Sequence, residues 1–130
     1  MTTLYNFKDI LLVSIGAIFG ANIRFIIYQK LKEINMNVYL IILLINIFSS
    51  FLLGLFVSIL PKIIYLNWSS QFVLFFVIGF LGSLSTFSTF VYDLFDSALK
   101  FNFPRALKSF ALSISLGIIA IALGTLIAYW

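Results

Sequence analysis

The chain has 130 residues, of which 63% are hydrophobic and only 9% charged, against about 25% charged in an average soluble domain. Its mean hydropathy is +1.19. A chain this short has too little interior to hide so much apolar surface from water, and disorder requires the opposite composition, so a soluble globule and a disordered chain are both excluded. What remains is an all-α integral membrane protein. One transmembrane helix takes roughly 20 apolar residues, which leaves room for about four. There is no Cys and no His. The acidic residues are only Asp9, Glu33, Asp93 and Asp96. With no buried carboxylate to add, nothing is left to act as nucleophile or general base, so the chain is not expected to be an enzyme. The net charge of +4 comes from cations spread over the ends of apolar runs. That is membrane-surface and topology charge, since a nucleic-acid partner requires a dense basic stripe.

The first apolar run covers 10–28 and is interrupted by Arg24. It is too long for a signal-peptide core and lacks a convincing cleavage site, so it reads as an uncleaved first span. A polar connection over 29–37 carries Lys30, Lys32 and Glu33. The second span, 38–60, has no charge, and Pro61 and Lys62 are expected to end it, because proline cannot continue the hydrogen-bond ladder. The second connection, 62–70, contains Asn67-Trp68-Ser69, a glycosylation pattern that arises often by chance. The third span covers about 71–94, with the unusual centre GFLGSLSTFSTF at 79–90. In the third connection, 93–105, Pro104 signals a helix start. The fourth span, 106–130, ends on the interfacial anchors Tyr129 and Trp130. The whole chain, 1–130, reads as a single four-span membrane domain without internal repeat.

Four spans put both termini on one side. That side carries Lys8 and Lys62; the other carries Arg24, Lys30, Lys32, Lys100, Arg105 and Lys108. The positive-inside rule places the first and third connections in the cytoplasm and both termini outside.

Lipid offers no partners to polar groups, so their spacing marks the faces that helices hide. Asn46, Ser50, Gly54 and Ser58 recur every four residues in the second span. Ser109, Ser113, Gly117, Ala120, Gly124 and Ala128 form a similar stripe in the fourth, and Gly16 and Gly20 a small pair in the first. The glycines and alanines fit close helix packing. Asn46 fits either an interhelical hydrogen bond or contact with a ligand. The glycines and hydroxyls of the third span make poor helix, because their side chains compete for the backbone. A break there frees carbonyls suited to a cation and N–H or hydroxyl groups suited to an anion. Phe87 and Phe90, spaced i, i+3, flank the hydroxyls; spacing alone makes them core, although ring edges carry positive charge that a small anion can touch. Arg24 reads first as a snorkelling anchor and second as a lure that concentrates anions at a vestibule. The absence of a mid-membrane carboxylate argues against proton-coupled export of organic cations and fits passage of an anion.

The 79–90 segment closely resembles the signature of the CrcB/Fluc fluoride channels, which reads like G-F-x-G-G-x-T-T-F-S-T-F. GAIFGANIRF at 16–25 is similar to that family's first-span G-G-x-x-G-A-x-x-R-Y, and NIFSSFLLG at 46–54 to its N-x-x-G-S-F-x-x-G. The resemblance implies a fluoride-selective channel in the cell inner (plasma) membrane that relieves fluoride toxicity by passive efflux. It implies an antiparallel (inverted) dimer, the third span of each chain broken, with two fluoride pathways between subunits. It further implies a structural sodium ion (Na+) at the dimer centre, held by backbone carbonyls at positions matching Gly82 and Ser85. The pathway residues matched are Asn46, Phe87, Phe90 and Ser113, with Arg24 at the vestibule. Ile42 and Ser109 stand where the family often has Thr and Tyr, and Ser49 and Ser83 replace Gly. Together with the charge bias, these departures raise a paired heterodimer with a similar four-span subunit as an alternative to the homodimer. A small exporter of organic cations and a non-conducting partner subunit are the competing readings.

Overall fold

The apolar runs of the sequence become four helical spans, and the polar residues between them decide where each helix stops. The computed structural model describes residues 6–63, 69–85 and 87–129. Helix α1 covers Phe7–Glu33 and α2 covers Val38–Ile63. The third span is built in pieces: α3 comprises a turn at Ser69–Phe72, a π-helical stretch at Val73–Leu81 and a turn at Gly82–Leu84, and α4 covers Phe87–Leu99. Helix α5 is Phe103–Tyr129. At about 1.5 Å per residue a 27-residue helix is about 40 Å long, more than the roughly 30 Å of a bilayer's hydrocarbon core.

The helices overrun the apolar segments. α1 continues through Lys30 and Lys32 to Glu33 because helix does not require apolar residues once it leaves the membrane. It stops where Asn35 adopts φ 57°, a left-handed cap that asparagine tolerates. The Asn35 and Met36 N–H groups then close on the Lys32 and Leu31 carbonyls at 3.0 and 3.3 Å. The Asn37 side chain accepts the Tyr39 N–H at 3.0 Å and so starts α2. α4 ends by the same device: Phe101 sits at φ 55°, and Phe101 and Asn102 donate to the Ala98 and Ser97 carbonyls, each at 3.0 Å. Pro61 does not terminate α2, which runs on to Ile63. Its missing N–H costs one bond in the final turn, where the ladder is ending anyway. α5 does begin beside Pro104. Asn67 and Trp68 lie outside the described residues, as do Thr86 and Trp130.

The close approaches fix the topology. Gly16 lies against the Phe75 carbonyl and the Phe80 N–H, and Gly20 against the Phe80 carbonyl and Ser83. Gly79 reciprocates, 2.6 Å from the Val13 carbonyl at its ideal Cβ position. Residue numbers rise together, so α1 and α3 run parallel. The π geometry joins residues five apart, and Gly16 sits over one such pair, Phe75 and Phe80. Tyr39 meets Ser109, Ser50 lies near Gly117 and Gly54 faces Ile121, numbers that again rise together, so α2 and α5 are a second parallel pair, closed further along by Gly124 against the Phe51 carbonyl. Small residues let backbones meet where lipid supplies no hydrophobic drive. Rings fill the remaining space: Phe56 of α2 meets Phe72 and Phe76 of α3 at 5.6 Å each, between the pairs, and Phe19 of α1 meets Phe75 of α3 at 6.5 Å within one. Ile41 and Leu84 are fully buried at the centre.

Candidate functional site

The break in the third span is local and abrupt. Ser85 still donates its N–H to the Leu81 carbonyl at 3.1 Å, but its backbone is extended at φ −70°, ψ 149°. Helix resumes at Phe87. An ending helix leaves its last carbonyls without intrahelical donors, and an extended Ser85 turns its own carbonyl out of the ladder. Ser83 Oγ does not reach the break; it folds back onto the Phe80 carbonyl at 3.0 Å. Gly82 is exposed, and a Cβ added there meets nothing within 4 Å. A cavity of about 170 Å³ adjoins the break, lined by Ser49, Ser50, Leu81, Gly82 and Ser85 among others. Ser49 Oγ is satisfied by the Ile45 carbonyl at 2.8 Å, which leaves the cavity its backbone groups and the Ser50 and Ser85 hydroxyls.

The α2–α5 register assembles the second part of the site. The Tyr39 hydroxyl reaches the Ser109 carbonyl at 3.4 Å, and Ser50 Oγ lies 3.6 Å from the ideal Cβ position of Gly117. Between these two levels Asn46 falls opposite Ser113. Asn46 is half-buried. Ser113 Oγ is buried and has no hydrogen-bond partner among the described residues. Such an orphaned hydroxyl costs about 1–3 kcal/mol, so it calls for an explanation. Phe90 is buried, 8% exposed, and stacks on Phe110, one turn before Ser113, at 6.4 Å and 20° between planes. Asn46, Ser113 and Phe90 therefore share one region.

Phe87 is not brought into that group. It is 78% exposed and points away from the chain's own core. Arg24 is half-buried in a separate cavity of about 250 Å³, with Tyr28, Ile42, Ile45 and Thr89 in its wall. Thr89 directly precedes Phe90 and Ile45 directly precedes Asn46, so this chamber lies beside the Asn46–Ser113 region. Tyr39, Ser50, Thr89 and Phe110 enter the site although sequence reasoning gave them no individual role. Ser50 was marked by its stripe and Thr89 by its motif; nothing in the sequence marks Tyr39. No cluster of three His, Cys, Asp or Glu side chains occurs among the described residues; the oxygens at the break are those of the backbone and of serine hydroxyls.

The chain thus combines four apolar spans, a broken third span, small-residue helix pairs and a buried serine hydroxyl. Comparison with known proteins assigns it: the family described as CrcB-like protein, Camphor Resistance (CrcB), matches residues 11–125, and the chain belongs to that family. It is 57% identical over 117 residues to fluoride-specific ion channel FluC 2 of Prochlorococcus marinus strain NATL2A, covering 90% of this chain and 94% of that one. It is 32% identical to fluoride-specific ion channel FluC of Ignicoccus hospitalis, over 90% of this chain and 92% of that protein. It is 35% identical to fluoride-specific ion channel FluC 1 of Parasynechococcus marenigrum, over 89% and 90% respectively.

Proposed function

We infer that the chain is a subunit of a fluoride channel through which cytoplasmic fluoride leaves passively. The observation that carries this reading is the buried Ser113 Oγ, without a hydrogen-bond partner among the described residues, in the region it shares with Asn46 and with Phe90, which stacks on Phe110 one turn away. A small anion is strongly hydrated, and a full positive charge in the pathway would trap it. Conduction requires sites strong enough to enter and weak enough to leave. Ser113 and the Asn46 amide offer neutral hydrogen bonds, and the Phe90 edge offers weak positive charge. Arg24 gathers anions in its chamber without standing in the pathway. The names of the relatives favour this reading over an organic-cation exporter, which lacks a mid-membrane carboxylate to run on.

The functional unit is a dimer in this account, antiparallel, with α3 of each chain crossing at its break. The open face of Gly82 supports it: no described part of the chain covers that position, and a second copy would. The donor set also fits a sodium ion, since hard monovalent cations take backbone carbonyl oxygens at unwound helices. Gly82 and Ser85 are the residues to hold it, and the ion supplies structure and a positive field at the centre. Phe87, exposed in the single chain, lines the second subunit's side of a pathway. Gly82→Val is expected to leave helix content unchanged while shifting the purified protein from dimer toward monomer in light scattering; a dimer of unchanged stability places the interface elsewhere. The two-against-six distribution of cations biases insertion toward the first and third connections in the cytoplasm, and an antiparallel homodimer requires half of the copies to insert against that bias, so the bias favours an oppositely oriented partner subunit.

Expressing the chain alone in a cell lacking fluoride exporters tests the reading. Growth in millimolar fluoride is expected to be restored by the homodimer. Rescue only when a second four-span subunit is supplied assigns the chain to a paired channel, and no rescue under either condition contradicts the fluoride reading.

A further inference from the structure

Two features meet where α4 gives way to α5, and the fluoride pathway uses neither. The first is a groove of about 800 Å³ between the two helices, walled by Val91, Phe95 and Ala98 on one side and Phe103, Leu107 and Phe110 on the other. Its α4 wall from Val91 to Ala98 runs about 10 Å along the helix axis. The second is a polar pocket of about 110 Å³ at the groove's outer end, formed by Asp96, Ser97, Lys100, Asn102 and Arg105.

The pocket is cationic. Lys100 Nζ pairs with Asp96 Oδ2 at 2.6 Å. The hydrogen bond and charge of Asp96 raise the Lys100 pKa, while nearby Arg105 opposes the rise. Two cations thus share one carboxylate, and Arg105 makes no ion pair with any other described residue. Lys108 follows one turn along α5, and Lys30 and Lys32 close α1 on the same side of the membrane. Basic side chains at this depth are drawn to anionic lipid.

We propose that this junction is a binding site for an anionic phospholipid, its phosphate held by Lys100, Asn102 and Arg105 and one acyl chain lying in the α4–α5 groove. An amphiphile matches both parts at once. A soluble phosphate leaves the apolar groove uncovered, a neutral lipid leaves the excess cation unanswered, and an antiparallel second copy brings its own end bearing Lys8 and Lys62 toward the cationic pocket. The proposal stands apart from the fluoride reading: of these residues only Phe110 also borders the pathway region, through its stack on Phe90, and Lys100, Asn102, Arg105 and Ala98 lie outside it.

Native mass spectrometry of the purified protein tests it, with phosphatidylglycerol, phosphatidylcholine of the same chains, and glycerol 3-phosphate as probes. Phosphatidylglycerol is expected to bind at least about tenfold tighter than phosphatidylcholine, the scale of two surface cations. Lys100→Ala with Arg105→Ala, both exposed positions, is expected to erase that preference. Ala98→Trp, which fills the groove, is expected to weaken both lipids. Equal binding of the two lipids overturns the proposal, as does an unchanged preference in the double variant. Displacement of the lipid by glycerol 3-phosphate at equal concentration reduces the site to a soluble-anion site. A change of oligomeric mass in Ala98→Trp with lipid binding intact identifies the groove as a protein interface instead.

Discussion

Ser113→Ala is expected to make the protein more stable and the channel slower. The hydroxyl is buried without a partner among the described residues, so replacing it with a methyl group removes a desolvation cost of about 1–3 kcal/mol. The unfolding midpoint in detergent should rise accordingly. A hydrogen bond to a charged group is worth about 1.5–3 kcal/mol, so withdrawing this donor from a dehydrated anion should lower fluoride flux about 10- to 100-fold. The opposite signs make the test specific. A structural serine loses stability on truncation and leaves flux alone, and that result would remove Ser113 from the pathway.

The second large effect lies in the α2–α5 seam that sets the register of Asn46 and Ser113. A Cβ at Gly124 meets the Phe51 carbonyl and comes within 2.9 Å of the Leu55 nitrogen. All of these atoms are backbone, so the helices must separate. Gly124→Ala is expected to cost about 1–3 kcal/mol, the usual range for overpacking, and to abolish flux by pulling the two donors apart. Gly117→Ala is the control on the same stripe. Its Cβ meets only Ser50 Oγ at an ordinary 3.6 Å, and alanine is favoured over glycine in a helix by up to about 1 kcal/mol. Its melting temperature should hold or rise. Equal losses from both variants would mean that the close approach at Gly124 does not set the packing.

The spans were legible because apolar runs of membrane length have few alternatives, and the break because Gly82, Ser83 and Ser85 interrupt an otherwise aliphatic run. The glycine stripes correctly foretold where helices touch, since close approach in lipid has few other means. Helix ends were less legible. α1 passes through Lys30 and Lys32 and stops at a left-handed Asn35, a backbone event with weak sequence marking. Pro61 was expected to end α2 and instead lies within its last turn. The π-helical stretch at Val73–Leu81 is invisible in sequence, because VLFFVIGFL suits an α-helix equally well. Phe87 and Phe90 share a spacing that cannot separate them, yet one is exposed and the other buried against Phe110. Tyr39 reaches Ser109 only through the parallel pairing of helices 70 residues apart. Pairing of that kind is a property of the packed bundle.

The central claim is passive, selective fluoride conduction by this chain. Purified protein in liposomes loaded with potassium fluoride, followed with a fluoride electrode, measures it directly. The account predicts rapid release once valinomycin balances the charge, undiminished when the proton gradient is collapsed, and no comparable release of chloride from a matched preparation. Release that requires a proton gradient, equal release of chloride, or no release from well-folded protein would contradict it.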